Sequence, residues 1–257
     1  MVFRLASWNI HLGLELERVL AGIRRSEHFR ELDVLLLQEA SLRGRVHDAE
    51  AIASALGPGY RAYQHNVDRL NGRVRGLAVV WNSASFELTS PEMLVLPHLH
   101  NALLKRRHRY LLHPLRLHPR SALMVEGRLR GRLTRLYNVH LSPVGFTFQT
   151  EQLATILRDA AHRGPCELLA LAGDFNSLRV DRRKWAAWFA ERERDGFVDA
   201  SRQVQWTFRS PALPFRQKLD NALVRIVDAA SCGCCCPEVP GSDHLPLIVE
   251  VAWPEVT

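Results

Sequence analysis

Lysine is almost missing from this chain: Lys105, Lys184 and Lys218 are the only three among 34 basic residues. The net charge of +7 and pI near 9.6 therefore rest on arginine. Such a charge favours anionic partners, although an arginine-biased composition alone produces the same excess. Long apolar runs are absent too. Nothing approaches the ~18 consecutive apolar residues of a membrane-spanning helix, and "MVFRLASWNI" shows neither an apolar leader core nor a cleavage site. The expectation is a cytoplasmic chain. There is no Gly/Ser linker, no charge block long enough to indicate disorder, and no repeat at a fixed period. With 257 residues, 47% of them hydrophobic, one domain over 1–257, acting as a monomer, is the simplest organisation.

Cysteine is scarce outside one place. Apart from Cys166, the thiols are Cys232, Cys234, Cys235 and Cys236, within "SCGCCCPE". Their spacing is not that of a zinc finger or ribbon, and adjacent cysteines bridge poorly. Reduced thiols are expected, with a soft-metal site as the alternative reading.

Strand and helix patterns alternate early. "VFRLASWN" reads as a strand. In "ELERVLAGIRRSEHF", Leu16, Val19, Leu20 and Ile23 fall at i, i+3, i+4 and i+7 of a helix. "LDVLLLQE" is a continuous apolar run suited to a strand covered on both faces, and "HDAEAIASALG" suggests a second helix. Further strands are expected at 60–65, 75–82, 86–95, 120–128, 131–141, 167–173, 218–226 and 246–252. Helices are expected at 148–163 and in "DRRKWAAWFAERERDG". This order predicts a layered α/β protein.

Polar residues collect where the apolar stretches stop. Asn9, Glu39 and His140 each close a strand, and Asp174 with Asn176 closes "LLALAGDFN". Asp220 lies in "KLDNALV", and Asp243 with His244 precede the last strand. Gly, Asp and Asn also form turns, so "GDFN" alone reads either way. If the chain stayed extended there, Asp174 and Asn176 would point to one face.

The pieces "SWNIH", "LLLQEA", "NVHLSP", "GDFNS", "KLDNALV" and "GSDHLPL", in this order across nearly the whole chain, resemble the endonuclease/exonuclease/phosphatase superfamily. That superfamily includes pancreatic-type deoxyribonucleases, abasic-site endonucleases, sphingomyelinases and inositol-polyphosphate phosphatases. The resemblance implies a four-layer α-β-β-α sandwich of two mixed β-sheets. It implies Glu39 as principal Mg²⁺ ligand, with Asn9 and Asp243 completing the metal surroundings, and Mn²⁺ as an alternative ion. It gives Asp174 the attacking water to orient or deprotonate, and Asn176 that water or a phosphate oxygen. His140 would hold another phosphate oxygen. His244 would bond the phosphoryl group or act as base, with Asp220 fixing its ring.

The chemistry asks for such a set. An anionic phosphodiester repels hydroxide, so cationic help on the non-bridging oxygens and a base near an in-line water are both needed. One departure is His11, where many abasic-site endonucleases carry an aspartate; a second metal then loses a ligand, and an imidazole at the ion would favour Mn²⁺. Residues 98–120 carry Lys105, Arg106, Arg107, Arg109, Arg116 and Arg120 with five histidines. They read either as a basic flap, with Arg106, Arg107 and Arg109 on a substrate backbone, or as an ordinary exposed insertion. The expected substrate is a nucleic acid, with a phospholipid or small phosphoester as rival and a catalytically silent binding protein as the reading from another class.

Overall fold

The computed structural model describes residues 2–70, 72–97, 120–143, 145–210, 215–228 and 231–253. Most of the basic insertion, including Arg106, Arg107 and Arg109, lies outside these described residues.

Two sheets carry the fold. Strands β1 (Val2–Asn9) and β2 (Val34–Arg43) run parallel, Asn9 opposite Gln38. With β4 (Tyr60–Leu70), β5 (Arg73–Asn82), β14 (Ser231–Cys235) and β15 (Leu247–Ala252) they form a sheet in the order β14-β15-β1-β2-β5-β4, and the short β3 (Val46–His47) pairs with β2. The second sheet follows β10-β13-β9-β8-β7-β6: Val198–Asp199, Asp220–Ile226, Leu168–Asp174, Arg132–His140, Ser121–Leu129 and Phe86–Val95. Here β8 and β9 are parallel, with His140 opposite Asp174. Two-residue strands β11 (Phe208–Arg209) and β12 (Arg216–Gln217) pair with each other, and Phe208 bridges His244 in the loop before β15.

Three apolar layers follow from the alternation of side chains along the strands. Phe3, Leu5, Val34, Leu36, Leu123, Leu136, Ala170 and Val249 meet between the sheets. Helices α1 (Leu16–Arg25) and α2 (Asp48–Leu56) cover the outer face of the first sheet through Val19, Leu20, Ile23, Ala49 and Ile52. Helices α3 (Phe146–His162) and α4 (Arg182–Arg194) cover the second through Leu153, Ile156, Trp185 and Phe189. The result is the four-layer sandwich expected from the resemblance.

Details differ from the sequence pattern. The first helix stops at Arg25, because Ser26 turns to extended backbone. "SCGCC" is an edge strand paired with β15, and its alternation explains the thiols. Cys232 and Cys234, with Cys236 just beyond, pack on the inter-sheet core, and Cys235 is exposed. All four are free, and burial pushes Cys234 and Cys236 up to about 12 and Cys232 to about 11. They behave as small hydrophobes.

Gly173 is required by packing. A Cβ there would stand 1.9 Å from the Val139 carbonyl oxygen, and its φ of +150° disfavours any side chain. Only glycine lets β9 approach β8 this closely just before Asp174 and His140.

Candidate active site

The ends of β1, β8 and β9, the start of β13 and the loop before β15 converge with the middle of β2, where Glu39 lies within the strand and does not close it as the sequence pattern suggests. Asp220 Oδ2 accepts a hydrogen bond from His244 Nδ1 at 2.7 Å, and both are buried. Burial alone would lower the His244 pKa; the carboxylates of Asp220, Asp174 and Asp243 outweigh it and raise the ring to about 10. His244 is thus an imidazolium at neutral pH. Its Nε2 lies 4.0 Å from Asp174 Oδ2. Burial, then the charge of Asp220, pushes Asp174 up to about 6, partly offset by His244, the Asn176 N–H and the Asn9 amide. Above that value it is a carboxylate able to take a proton.

His140 completes this side. Its Nε2 is 3.6 Å from Asp174 Oδ2 and 3.9 Å from Glu39 Oε1. Burial and the positive charges of Arg120, Arg75 and His244 hold its pKa well below the usual range, so the ring is neutral. The Asn9 amide donates to Asp174 Oδ2 at 3.1 Å, and Asn9 Oδ1 accepts from the His11 N–H at 3.0 Å. Asp243 stands beside His11, Oδ1 3.6 Å from Nδ1. Ser242 ties its loop to β1 by donating to the Asn9 carbonyl at 2.7 Å, and Trp8 Nε1 donates to the His244 carbonyl at 2.9 Å.

Asn176 corrects the sequence expectation. It has φ +51° and is not extended, so it does not share a strand face with Asp174. Its N–H folds back onto Asp174 Oδ1 at 2.9 Å, and its side-chain amide donates to the Leu141 carbonyl at 3.0 Å. In this arrangement Asn176 ties β9 to the loop after His140.

The closest trio of ligand-type atoms is Asp174, Asp220 and His244, all within 4.8 Å of one another. Two of its members already satisfy each other, so a hard ion fits better at Glu39. That carboxylate has Arg75 Nη1 at 3.5 Å and His140 at 3.9 Å, and no shorter partner among the described residues. A carboxylate oxygen donor of this kind, with no thiolate among its contacts, suits a hard ion such as Mg²⁺ or Mn²⁺.

Sequence reasoning missed several residues here. Arg75 grips Asp68 with two bonds of 2.6 and 2.9 Å and faces Glu39. Arg120, counted with the flap, instead lines a cavity with Glu39, Arg75 and His140. It makes no ion pair among the described residues, and burial, then Arg75, lowers it to about 10 against the pull of Asp174, Glu39 and Asp68. Gln149 and Gln152 of α3 hold the "HLS" loop: Gln149 donates to the carbonyls of Ser142 and Asn176, and Gln152 accepts from the Ser142 N–H. Their only sequence signal is a polar residue on the apolar face of a helix.

Comparison with known proteins agrees with this architecture. Structures similar in fold include an endonuclease/exonuclease/phosphatase from Bacteroides vulgatus, with 18% identity and a TM-score of 0.70 over 99% of this chain and 100% of that one. Another is a humanized D. rerio TDP2, with 15% identity and a TM-score of 0.63 over 97% and 98%. A third is D. rerio TDP2 complexed with a single-strand DNA product, with 17% identity and a TM-score of 0.66 over 97% and 98%. No curated protein matches in sequence. Residues 6–244 match the profile of the Endonuclease/Exonuclease/phosphatase family, and the chain belongs to that family.

Proposed function

We propose that this protein is a divalent-metal-dependent phosphodiesterase whose substrate is a nucleic acid. The carrying observation is the geometry that sets His244, held on Asp220 and protonated at neutral pH, 4.0 Å from a titratable Asp174. Two groups whose environments push their protonation apart are suited to separate acid and base roles. Asp174 takes the proton of the attacking water, whose oxygen bonds to phosphorus as the bond to the leaving oxygen breaks; the leaving oxygen keeps the bonding pair and takes up a proton from solvent. His244, held by Asp220, donates to a non-bridging oxygen where negative charge develops. Neutral His140 and cationic Arg120 supply further donors on the Glu39 side. Glu39, Asn9 and Asp243 would hold Mg²⁺ or Mn²⁺, which supplies Lewis-acid charge on the phosphoryl oxygens. His11, beside Asp243, tunes which ion is preferred.

Nucleic acid as the substrate is supported by the basic charge and by the fold shared with a TDP2 bound to single-strand DNA. The flap residues Arg106, Arg107 and Arg109 remain part of this proposal. Among the described residues no helix is long and apolar enough to cross a membrane.

A substrate panel tests the reading: duplex DNA, single-stranded DNA, RNA, phospholipid vesicles and a small chromogenic diester, each with Mg²⁺, with Mn²⁺ and with chelator. Metal-dependent cleavage of a nucleic acid is expected, with Asp174→Asn slower by roughly 10²-fold or more. Turnover that persists in chelator, or that is confined to lipid, would overturn it.

A further inference from the structure

Strand β2 carries one residue more than its partner beside the site. The register runs Leu37↔Ala78 and resumes at Ala40↔Gly76, so Gln38 and Glu39 together face Leu77. Such a bulge bends a strand and re-aims a side chain. The added residue shows in the backbone: Glu39 has φ +53°, a conformation that is strained for a non-glycine residue and that persists only where the surroundings impose it.

One side chain from the opposite sheet closes on this bulge. Asn138 of β8 donates through Nδ2 to the Leu37 carbonyl at 2.8 Å and to the Ala78 carbonyl at 2.9 Å, one on each strand at the opening of the bulge. Its Oδ1 accepts from Gln38 Nε2 at 2.7 Å, and the same Nε2 donates to Ser7 Oγ of β1 at 3.1 Å. Asn138 and Gln38 are fully buried, and Ser7 nearly so, in an inter-sheet layer that is otherwise apolar. An amide placed there is costly unless its hydrogen-bonding groups are met; these bonds meet both donor hydrogens and the acceptor of Asn138, whereas Gln38 Oε1 has no partner among the described residues. Asn138 also stands two residues before His140, on the same face of β8. One strand therefore presents a site histidine and, one step deeper, a lock on the backbone that carries Glu39.

We propose that Asn138 is a positioning residue, which locks the β2 bulge in the conformation that aims Glu39 into the site and thereby sets the site's affinity for its divalent cation. The proposal rests on Glu39 being a metal ligand, as the proposed function has it. Groups that orient a ligand from behind typically change metal affinity by ~10–100-fold when removed.

The test is direct Mn²⁺ binding to the full chain, by electron paramagnetic resonance, with backbone amide exchange on the metal-free protein. Asn138→Leu keeps the branched side-chain shape and removes both donors and the acceptor. Leu136→Ala, on the same face of β8 in the apolar core, lowers stability without touching the bulge. Glu39→Gln tests the metal reading itself. Asn138→Leu is expected to raise the Mn²⁺ dissociation constant about tenfold or more and to speed exchange at Glu39 and Ala40. Leu136→Ala is expected to lower the melting temperature and leave both readouts unchanged. If Asn138→Leu does not fold, Gln38→Met, which frees Asn138 Oδ1 and Ser7 Oγ but keeps both Asn138 donors on the bulge, should show a smaller change in the same direction. Wild-type Mn²⁺ affinity in Asn138→Leu overturns the proposal, and so does an equal loss in Leu136→Ala, which would make Asn138 a stability residue only. Wild-type Mn²⁺ binding by Glu39→Gln would instead remove the metal reading. The lock then stands or falls on amide exchange, where unchanged rates at Glu39 and Ala40 refute it.

Discussion

Replacing Asp220 with asparagine isolates the charge that keeps His244 protonated. Asn fits the same space and its Oδ1 still accepts the Nδ1 hydrogen, so the 2.7 Å bond loses charge rather than geometry. The folded ring sits near 10 with the carboxylate present, against about 6.5 in an unfolded chain. A group raised on folding adds stability that is complete below the unfolded value and is lost as pH rises through the folded one. At pH 8 the two units still separating the solution from 10 are worth about 3 kcal/mol. Without Asp220, burial works against the imidazolium, and only Asp174 and Asp243 oppose it. Asp220→Asn should therefore destabilise the metal-free protein by up to about 3 kcal/mol at pH 8. The difference should shrink toward zero as pH approaches and passes 10. Urea denaturation of both proteins in chelator, across pH 7 to 10, measures this, and the histidine ring signals give the titration directly. A stability difference that does not vary over that range, or a variant ring still titrating near 10, would refute the argument that Asp220 supplies the charge.

Two other perturbations follow from single contacts. Gly173→Ala places a Cβ 1.9 Å from the Val139 carbonyl oxygen at φ +150°; strain and overpacking together should cost about 3 kcal/mol or more, and a loss under about 1 kcal/mol by urea denaturation would mean that β8 and β9 part more easily than their packing indicates. Arg120→Ala removes a cation that lines the cavity with Glu39 and His140 and has no ion pair among the described residues. It should raise KM about tenfold even for a small chromogenic diester, and an unchanged KM would take Arg120 out of substrate binding.

What the sequence made legible has a common physical form. Glu39, Asp174 and Asp220 adjoin runs such as "VLLLQ" and "LLALAG", and a carboxylate beside a buried strand needs a partner. That necessity is local, so a single sequence reveals it. The positions that escaped are decided by long-range contacts. Nothing in "LLLQEA" marks a bulge, because two polar residues after an apolar run read equally well as the end of a strand, and the extra residue exists only relative to β5. Asn176, which the sequence leaves open between a turn and an extended partner of Asp174, is a left-handed turn residue held by the Leu141 carbonyl in the loop after β8. The strands β10, β11 and β12 have two residues each, too few for any periodicity. In β14, alternating thiols were set aside as a redox or metal question when their alternation was itself the strand signal.

The arginines show how a bias in composition hides function. With so many of them, Arg75 and Arg120 carry no signal in the sequence, and the dense cluster at 105–109 attracts attention instead. The fold separates them by surroundings. Arg75 is buried, is bonded twice to Asp68 and faces Glu39, so its charge is already answered. Arg120 shares the cavity with it, is lowered to about 10 by burial and by that neighbour, and makes no ion pair among the described residues. Arg120 is thus the guanidinium of this cavity that pairs directly with no carboxylate among the described residues, while Glu39, Asp68 and Asp174 pull on it from further away. Its place beside Glu39 and His140, and not the number of arginines in the chain, distinguishes it from ordinary surface arginine.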